Sequence, residues 1–470
     1  CYSVWKDDTI LEDLVYSLVG TAEPKKALKF IASYKANNRD KKAFKHYLRA
    51  YITLAIGGDY QKSYFHLVRA MGFVRKGYNK LFGPIRNFTL KQLEFDHHIL
   101  LGMKDYNFLK NVMNELIKTA YELDSKSFVI DALNSSYRFY WNYNEINQAY
   151  KVLHETLKLS VEIFDNYRIT RSYLNLAACS HRLGKLNDVR FYLEKAIEYA
   201  RKGCGANILK QCYINYGELA LIRGEFSIAE NYCNSAESIS ITELNDPDII
   251  DIFSLQILLA ILKNETGYAR SIGGKLRRYF EQFENISHSK SVIYYSVMFF
   301  LESLTGNDKN FFNELEKSLS QVLDEYPIYK RTNYLLYLLG KIIFYTRAGD
   351  RDAAMNLIHL IEQEKVSSSH SLYQMLYFYH AGLFLKEHAP ASSLLKKYVE
   401  KGLSYASQSQ TSYFFTLFDE ISYSIDIDNT ETIVKNINFL MEHADVGGDI
   451  RSDIEKNVHE LQKHILHAKN

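Results

Sequence analysis

The feature that most constrains this chain is a unit that returns every 40 residues. Tyr173-Leu174-Asn175-Leu176-Ala177, Gly184 and Ala196 are followed by Tyr213-Ile214-Asn215-Tyr216-Gly217, Gly224 and Ala236, each 40 positions on. A fixed step of this size describes one supersecondary unit stacked on itself, each copy contacting only its neighbours. Turn residues carry the step along the chain. They fall at Gly20, Gly58, Asp105, Asn144, Gly184, Gly224, Asn264, Gly306, Gly349, His388 and Asp426, with spacings of 38, 47, 39, 40, 40, 40, 42, 43, 39 and 38. Gly and Asn tolerate the left-handed backbone at which a helix ends.

The segments between turns carry apolar residues three and four apart, as in Val189, Leu193 and Ala196 with Tyr192 alongside; that is the spacing of an amphipathic helix. The second segment of each unit often opens on a small residue (Ala27, Ala149, Ala229, Ala269, Ala354), which lets antiparallel helices approach closely. Proline damages a helix interior, and only five occur, at Pro24, Pro84, Pro247, Pro327 and Pro390, each at a break in the apolar periodicity. A length of 470 residues would ordinarily divide into about three domains. A stack that grows in one dimension removes that need.

The repeat resembles the tetratricopeptide repeat (TPR). The likeness rests on the aromatic Tyr173 or Tyr213, the small Ala177 or Gly217, the turn Gly184 or Gly224, and the small Ala196 or Ala236. It implies an all-α, right-handed superhelical solenoid of about 10–11 antiparallel helix hairpins over residues 1–446. The usual repeat has about 34 residues, and the longer step here is similar to the sensor arrays of bacterial regulators of the maltose-regulator and peptide-pheromone-receptor types, and to kinesin light chains. Two segments break the array. The step of 47 reads as a loop insert near 72–87 carrying Arg75, Lys76, Lys80 and Arg86. Residues 447–470 read as a polar C-terminal capping helix, which a solenoid end needs for solubility.

By the same resemblance the first helix of each hairpin lines a concave groove. Asn175 and Asn215 occupy matching places there, and an amide can both donate to and accept from a peptide backbone. Arg171 and Gln211 lie one turn earlier; His181, Arg182 and Glu218 complete the set expected to face a ligand. Against this stands the reading that the asparagines bond to a neighbouring helix and only stabilise the stack. The 37 tyrosines suit a binding surface. The pairs Tyr294-Tyr295 and Tyr377-Tyr379 could line the groove or fill gaps between helices.

Other constellations carry little chemistry. Cys179, Cys204, Cys212 and Cys233 have spacings of 25, 8 and 21, without the close pair of a zinc site. His97-His98 point about 100° apart on a helix, and His459, His464 and His467 sit on the polar terminal helix. Asp426-Ile427-Asp428 opens like a calcium loop but lacks its glycine and closing glutamate. The sequence holds no phosphate-cradling glycine loop, zinc-protease motif or nucleophile elbow. No catalytic residue, metal or cofactor is expected. The net charge of +2 gives no strong pull toward polyanions, so direct nucleic-acid binding is not expected.

No apolar run reaches the length of a membrane span. The chain opens on Cys1, which reads as a fragment boundary or a processed end. Five cysteines are an odd count in a large chain, so reduced thiols in the cytoplasm are the simpler reading, and a lipoprotein anchored through Cys1 is the alternative. Together these features point to a non-catalytic module that holds a peptide segment or protein partner in a concave groove, as the sensor part of a signalling or transcriptional regulator. A small-molecule sensor, for an oligosaccharide for example, and a structural scaffold are the alternatives.

Overall fold

The structure is a computed structural model. It describes residues 11–15, 18, 24–56, 60–74, 79–100, 105–240, 246–282, 286–306, 309–325, 330–364, 366 and 370–422. Among these there is no strand; residues 11–15 are helical, and twenty helices follow them. They are α1 (Pro24–Ser33), α2 (Arg39–Ile56), α3 (Tyr60–Val74), α4 (Asn79–Leu100), α5 (Tyr106–Glu122), α6 (Lys126–Asn142), α7 (Ile146–Glu162), α8 (Asn166–Arg182), α9 (Leu186–Ala200) and α10 (Ala206–Arg223). They continue as α11 (Phe226–Ser240), α12 (Ile249–Leu262), α13 (Thr266–Glu281), α14 (His288–Thr305), α15 (Lys309–Glu325), α16 (Lys330–Arg347), α17 (Arg351–Gln363), α18 (Ser371–His388), α19 (Ser393–Gln408) and α20 (Ser412–Ser422).

From α5 to α11 the helices start at residues 106, 126, 146, 166, 186, 206 and 226, so the 40-residue unit is two equal halves of 20. One turn geometry produces this. Asp124, Asn144, Phe164, Gly184, Gly224 and Asn264 all hold φ between 48° and 74°. At Asn144, Phe164, Gly184, Gly224 and Asn264, the next residue donates its N–H to the carbonyl five positions earlier, at 2.8–3.1 Å, as from Glu145 to Tyr140 and from Glu225 to Ala220. This closes the helix end in the Schellman manner. The carbonyl of that same residue then receives the first bond of the following helix, for example from Ala149 to Glu145. Asn144, Gly184, Gly224, Asn264 and Gly349 are therefore the left-handed turn residues that the sequence suggests.

Other expected turn positions behave differently. Asp105 caps α5, its carboxylate accepting from the Phe108 N–H at 3.0 Å. His388 is the last residue of α18, and Gly306 has no left-handed φ. Gly20, Gly58 and Asp426 lie outside the described residues, as does the capping helix proposed for 447–470. Pro24 opens α1, and Pro247 and Pro390 stand between helices, but Pro84 lies within α4. Of the extra residues near 72–87, 75–78 lie outside the described residues and the rest are helical. They close α3 and lengthen α4 to 22 residues, against 17 in each of α5 to α8. Arg86 is anchored there to Glu12, at 2.8 Å.

The chain forms two compact units. One holds Cys1–Cys179 with Glu198–Cys204 and Asn285–Ser287; the other holds Ser180–Ile197, Gly205–Glu284 and His288–Asn470. In the first, α2 pairs with α3, α4 with α5 and α6 with α7, while α2, α4 and α6 pack in succession. In the second, α10, α12, α14, α16, α18 and α20 pack in succession, and the first five of them also pack on the helix that follows. The reason is written in the side chains. Ile249–Leu262 is apolar almost all round and has eleven buried residues, as a helix enclosed on several sides must be. Its neighbour α11 buries one narrow stripe, Ala229, Cys233, Ala236 and Ser240. The small stripe faces Gly217, where a Cβ would lie 3.4 Å from the Cys233 Sγ and 3.7 Å from the Ala229 carbonyl. The small openers Ala27, Ala149, Ala229, Ala269 and Ala354 are all buried.

Candidate functional site

In the second unit α10 carries Gln211, Asn215 and Glu218 on one half-exposed face, because positions i, i+4 and i+7 align on a helix. Their fates differ. The Gln211 amide is bonded to the Asp248 carboxylate and so joins a buried ionic network. At its centre the Lys210 ammonium, 1% exposed, donates to Asp246 at 2.5 Å, Asp248 at 3.3 Å and Asn207 at 3.1 Å. Ser240 donates to Asp246 at 2.5 Å. Lys290 reaches Asp248 at 2.9 Å and also pairs with Asp251. Burial works against the charge of Asp248, but Lys290 and Lys210 outweigh it and hold its pKa below the ordinary value. The network ties α10, α11, α12 and α14 together where the regular 20-residue step of α5 to α11 ends, α12 starting at Ile249.

Glu218 meets a second group of side chains, brought from far along the chain. His370 caps the start of α18, and its Nε2 lies 2.9 Å from the Glu218 carboxylate. Its ring stacks on Tyr373 at 4.1 Å and 12°. One residue on, the Ser371 Oγ lies 3.2 Å from His181 Nε2, across 190 residues of sequence. Burial opposes the charge of Glu218, yet His370 and then His181 lower its pKa overall. Burial, with His370 and Arg182, pushes the His181 imidazole pKa down against the pull of Glu218. Burial and the Glu218 charge push the Tyr373 phenol up.

The same folding-back recurs beside it. Tyr413 of α20 donates to the Leu262 carbonyl at 2.7 Å and packs edge-on against Phe226 at 4.8 Å. Within this unit, then, first helices four hairpins apart touch directly through polar side chains.

Ser371 and His181 set a hydroxyl against an imidazole, which suggests a nucleophile and its base. A hydrolytic relay needs a third group to fix the tautomer of that base. The available carboxylate is bonded to the other histidine, His370. What the group offers is a mixed set of donors and acceptors at a contact, rather than an aligned proton path.

Asn215 is half-exposed, and among the described residues its amide makes no hydrogen bond. In the first unit Asn175 is likewise half-exposed without such a bond. Arg171 there is exposed, its guanidinium over Tyr167 at 5.9 Å. Arg182 is half-buried on the last turn of α8.

Several other candidates prove structural. Tyr294 is 4% exposed and stacks on Phe280 at 3.7 Å, and Tyr377 donates to or accepts from Tyr398 at 2.7 Å; both fill gaps between helices. Cys179, Cys212 and Cys233 are buried, and burial pushes the Cys233 thiol up to about 12. In the first unit His97 bridges the Leu93 carbonyl and Ser63, while His98 turns to Tyr64. The trio His459, His464 and His467 and the Asp426–Asp428 segment lie outside the described residues. Among the described residues no three His, Cys, Asp or Glu side chains gather as a metal site would require, and no helix is long and apolar enough to cross a membrane.

Sequence reasoning missed His370, Ser371, Tyr373 and His380. The last is held down to about 4 by burial and lies in edge contact with Phe300 of α14 at 6.2 Å. No periodic signal marks them, since they belong to a loosely repeating stretch.

The fold defines an all-α helical-repeat protein of stacked hairpins. No protein-family model and no curated protein matches the chain. Among solved structures it is similar to the crystal structure of the TPR domain of P58(IPK), at 13% identity and a TM-score of 0.21, over 86% of this chain and 99% of that one. The class rests on the helix pairing above and not on that likeness.

Proposed function

We propose that the chain is a non-catalytic binding module that holds a peptide segment or a protein partner along its row of first helices. It would serve as the sensor or partner-binding part of a signalling or transcriptional regulator. The observation that carries this reading is Asn215. A half-buried amide has two donor hydrogens and an acceptor oxygen, and leaving such a group unsatisfied costs stability. The described fold makes no use of it, while Gln211 and Glu218 on the same face are engaged. An extended backbone passing over Asn215 would satisfy both sides of the amide, and Asn175 offers the same in the first unit.

The test uses a peptide selected from a random library on the intact chain. Changing Asn175→Ala and Asn215→Ala together should weaken it about tenfold or more, since each lost amide contact is worth about 1 kcal/mol. The circular dichroism should stay helical. Unchanged affinity would exclude this row as the binding face.

A second reading is a compact polar ligand such as an oligosaccharide. It is favoured by the convergence of Glu218, His181 and Ser371 beside the stacked His370–Tyr373 pair. A panel of neutral sugars should then raise the melting temperature of the wild type and not of His370→Ala; a flat response across the panel would remove this reading.

A further inference from the structure

Two seams join distant helices of the second unit, and both span the same distance along the stack. α10 meets α18 through the 2.9 Å pair of Glu218 and His370, beside the 3.2 Å contact of Ser371 with His181 on the last turn of α8. One hairpin further on, α12 meets α20 where Tyr413 donates to the Leu262 carbonyl at 2.7 Å. In each case the two helices are four hairpins apart. Close approach is built in at the turn between α10 and α11. A Cβ on Gly224 would fall 3.5 Å from the Thr411 Oγ1 and only 2.6 Å from the Tyr413 Cβ, closer than two Cβ atoms come.

The seams differ in kind from the packing between successive hairpins. Within the stack, α12 and α18 each bury eleven residues, most of them apolar. The seams hold through an ion pair whose carboxylate is 34% exposed, two single hydrogen bonds and the edge-on rings of Phe226 and Tyr413. Part-exposed ion pairs and single hydrogen bonds contribute little net stability, because water takes their place when they separate. Contacts of this kind are the first to open in a folded protein. The seams can therefore part while the apolar stack between them stays intact.

The first seam lies beside Asn215. That residue precedes Glu218 by three positions on the same face of α10, about 4.5 Å along the helix axis. An extended backbone laid beside another needs about 4.8 Å before any of its side chains is counted. A peptide bonded to Asn215 therefore runs into the His370 ring and the start of α18. We propose that Glu218, His370, His181, Ser371 and Tyr413 form a clasp that keeps the second unit shut in the free chain, and that a peptide reaches Asn215 only when the clasp releases. This inference rests on the peptide-binding reading above. Clasped and bound states exclude each other, so the apparent affinity is the intrinsic one reduced by the fraction of unclasped chain.

Two measurements on the intact chain test the clasp, and the first needs no ligand. Spin labels on unnatural side chains at the exposed positions Ser227 and Ser407 report the spacing across the second seam by dipolar spectroscopy. The wild type should give one distance. Glu218→Gln, Ser371→Ala and Tyr413→Phe together should add a longer one, and an unchanged single distance would overturn the clasp. The second measurement uses the library-selected peptide. Tyr413→Phe keeps the ring and loses one hydrogen bond, so it should bind the peptide about fivefold more tightly than the wild type. A merely structural role would not tighten binding. The gain should vanish in an Asn215→Ala background. A peptide that depends on Asn215 but binds Tyr413→Phe no more tightly would overturn the clasp and leave the binding row standing. A peptide indifferent to Asn215 would remove the binding row, and with it the gate, whatever distances the labels report.

Discussion

Phe164 is the residue whose backbone and side chain are least at ease. Its φ is 54° and 87% of its surface is exposed, although bulky side chains rarely accept the left-handed region. The repeat demands that backbone at this position, and the sequence supplies Asn, Gly or Asp at the matching turns. Phe164→Asn should raise stability by about 0.5–1 kcal/mol in urea unfolding; a loss would mean that the ring makes a contact after all. Lys210 is the opposite case, fully enclosed and fully engaged. Lys210→Met should cost about 3–5 kcal/mol, because it strands the buried Asp246 carboxylate. A shift in the urea midpoint without a change in slope would measure it. Neither residue stands out in the sequence. Phe164 lacks turn chemistry, and a lysine in a helix ordinarily reads as solvated.

At the scale of elements the helices were legible wherever repetition was strict. Asn144, Gly184, Gly224 and Asn264 mark real ends because glycine and asparagine are the residues that a left-handed turn selects. The helices at Gly72 and Pro84 were not legible, since both residues read as breaks although helices run through both positions. The contact of α10 with α18 was beyond reach for another reason. It depends on small rotations summed over four hairpins, which no local pattern encodes. That contact has a pH signature. The folded pKa of Glu218 lies below its ordinary value of 4.5, so its contribution is complete above 4.5 and fades as pH falls through the folded pKa. Glu218→Gln should flatten the loss of stability below pH 4.5. Because the carboxylate is 34% exposed, solvent screening limits the effect to about 1 kcal/mol or less. Identical acid profiles for the two proteins would mean that the His370 contact contributes nothing.

At the scale of the whole molecule, a net charge of +2 conceals a local concentration of cations on α2–α3. Sequence resemblance drew attention to Glu218 and His181, yet their partners His370 and Ser371 became visible only in three dimensions. The twenty-residue cadence of left-handed turns has one more consequence. It gives each unit a phase, in which even helices pack on one another in succession and odd helices pack on their even neighbours. Excising Tyr106–Glu145, forty residues, removes one even and one odd helix and leaves every later helix on its own side. Excising Tyr106–Ser125, only twenty, turns each later helix over and presents its apolar face to water. The longer deletion should therefore remain soluble and helical by circular dichroism, and the shorter one should aggregate. A chain with this meter can gain or lose material safely only in whole couplets.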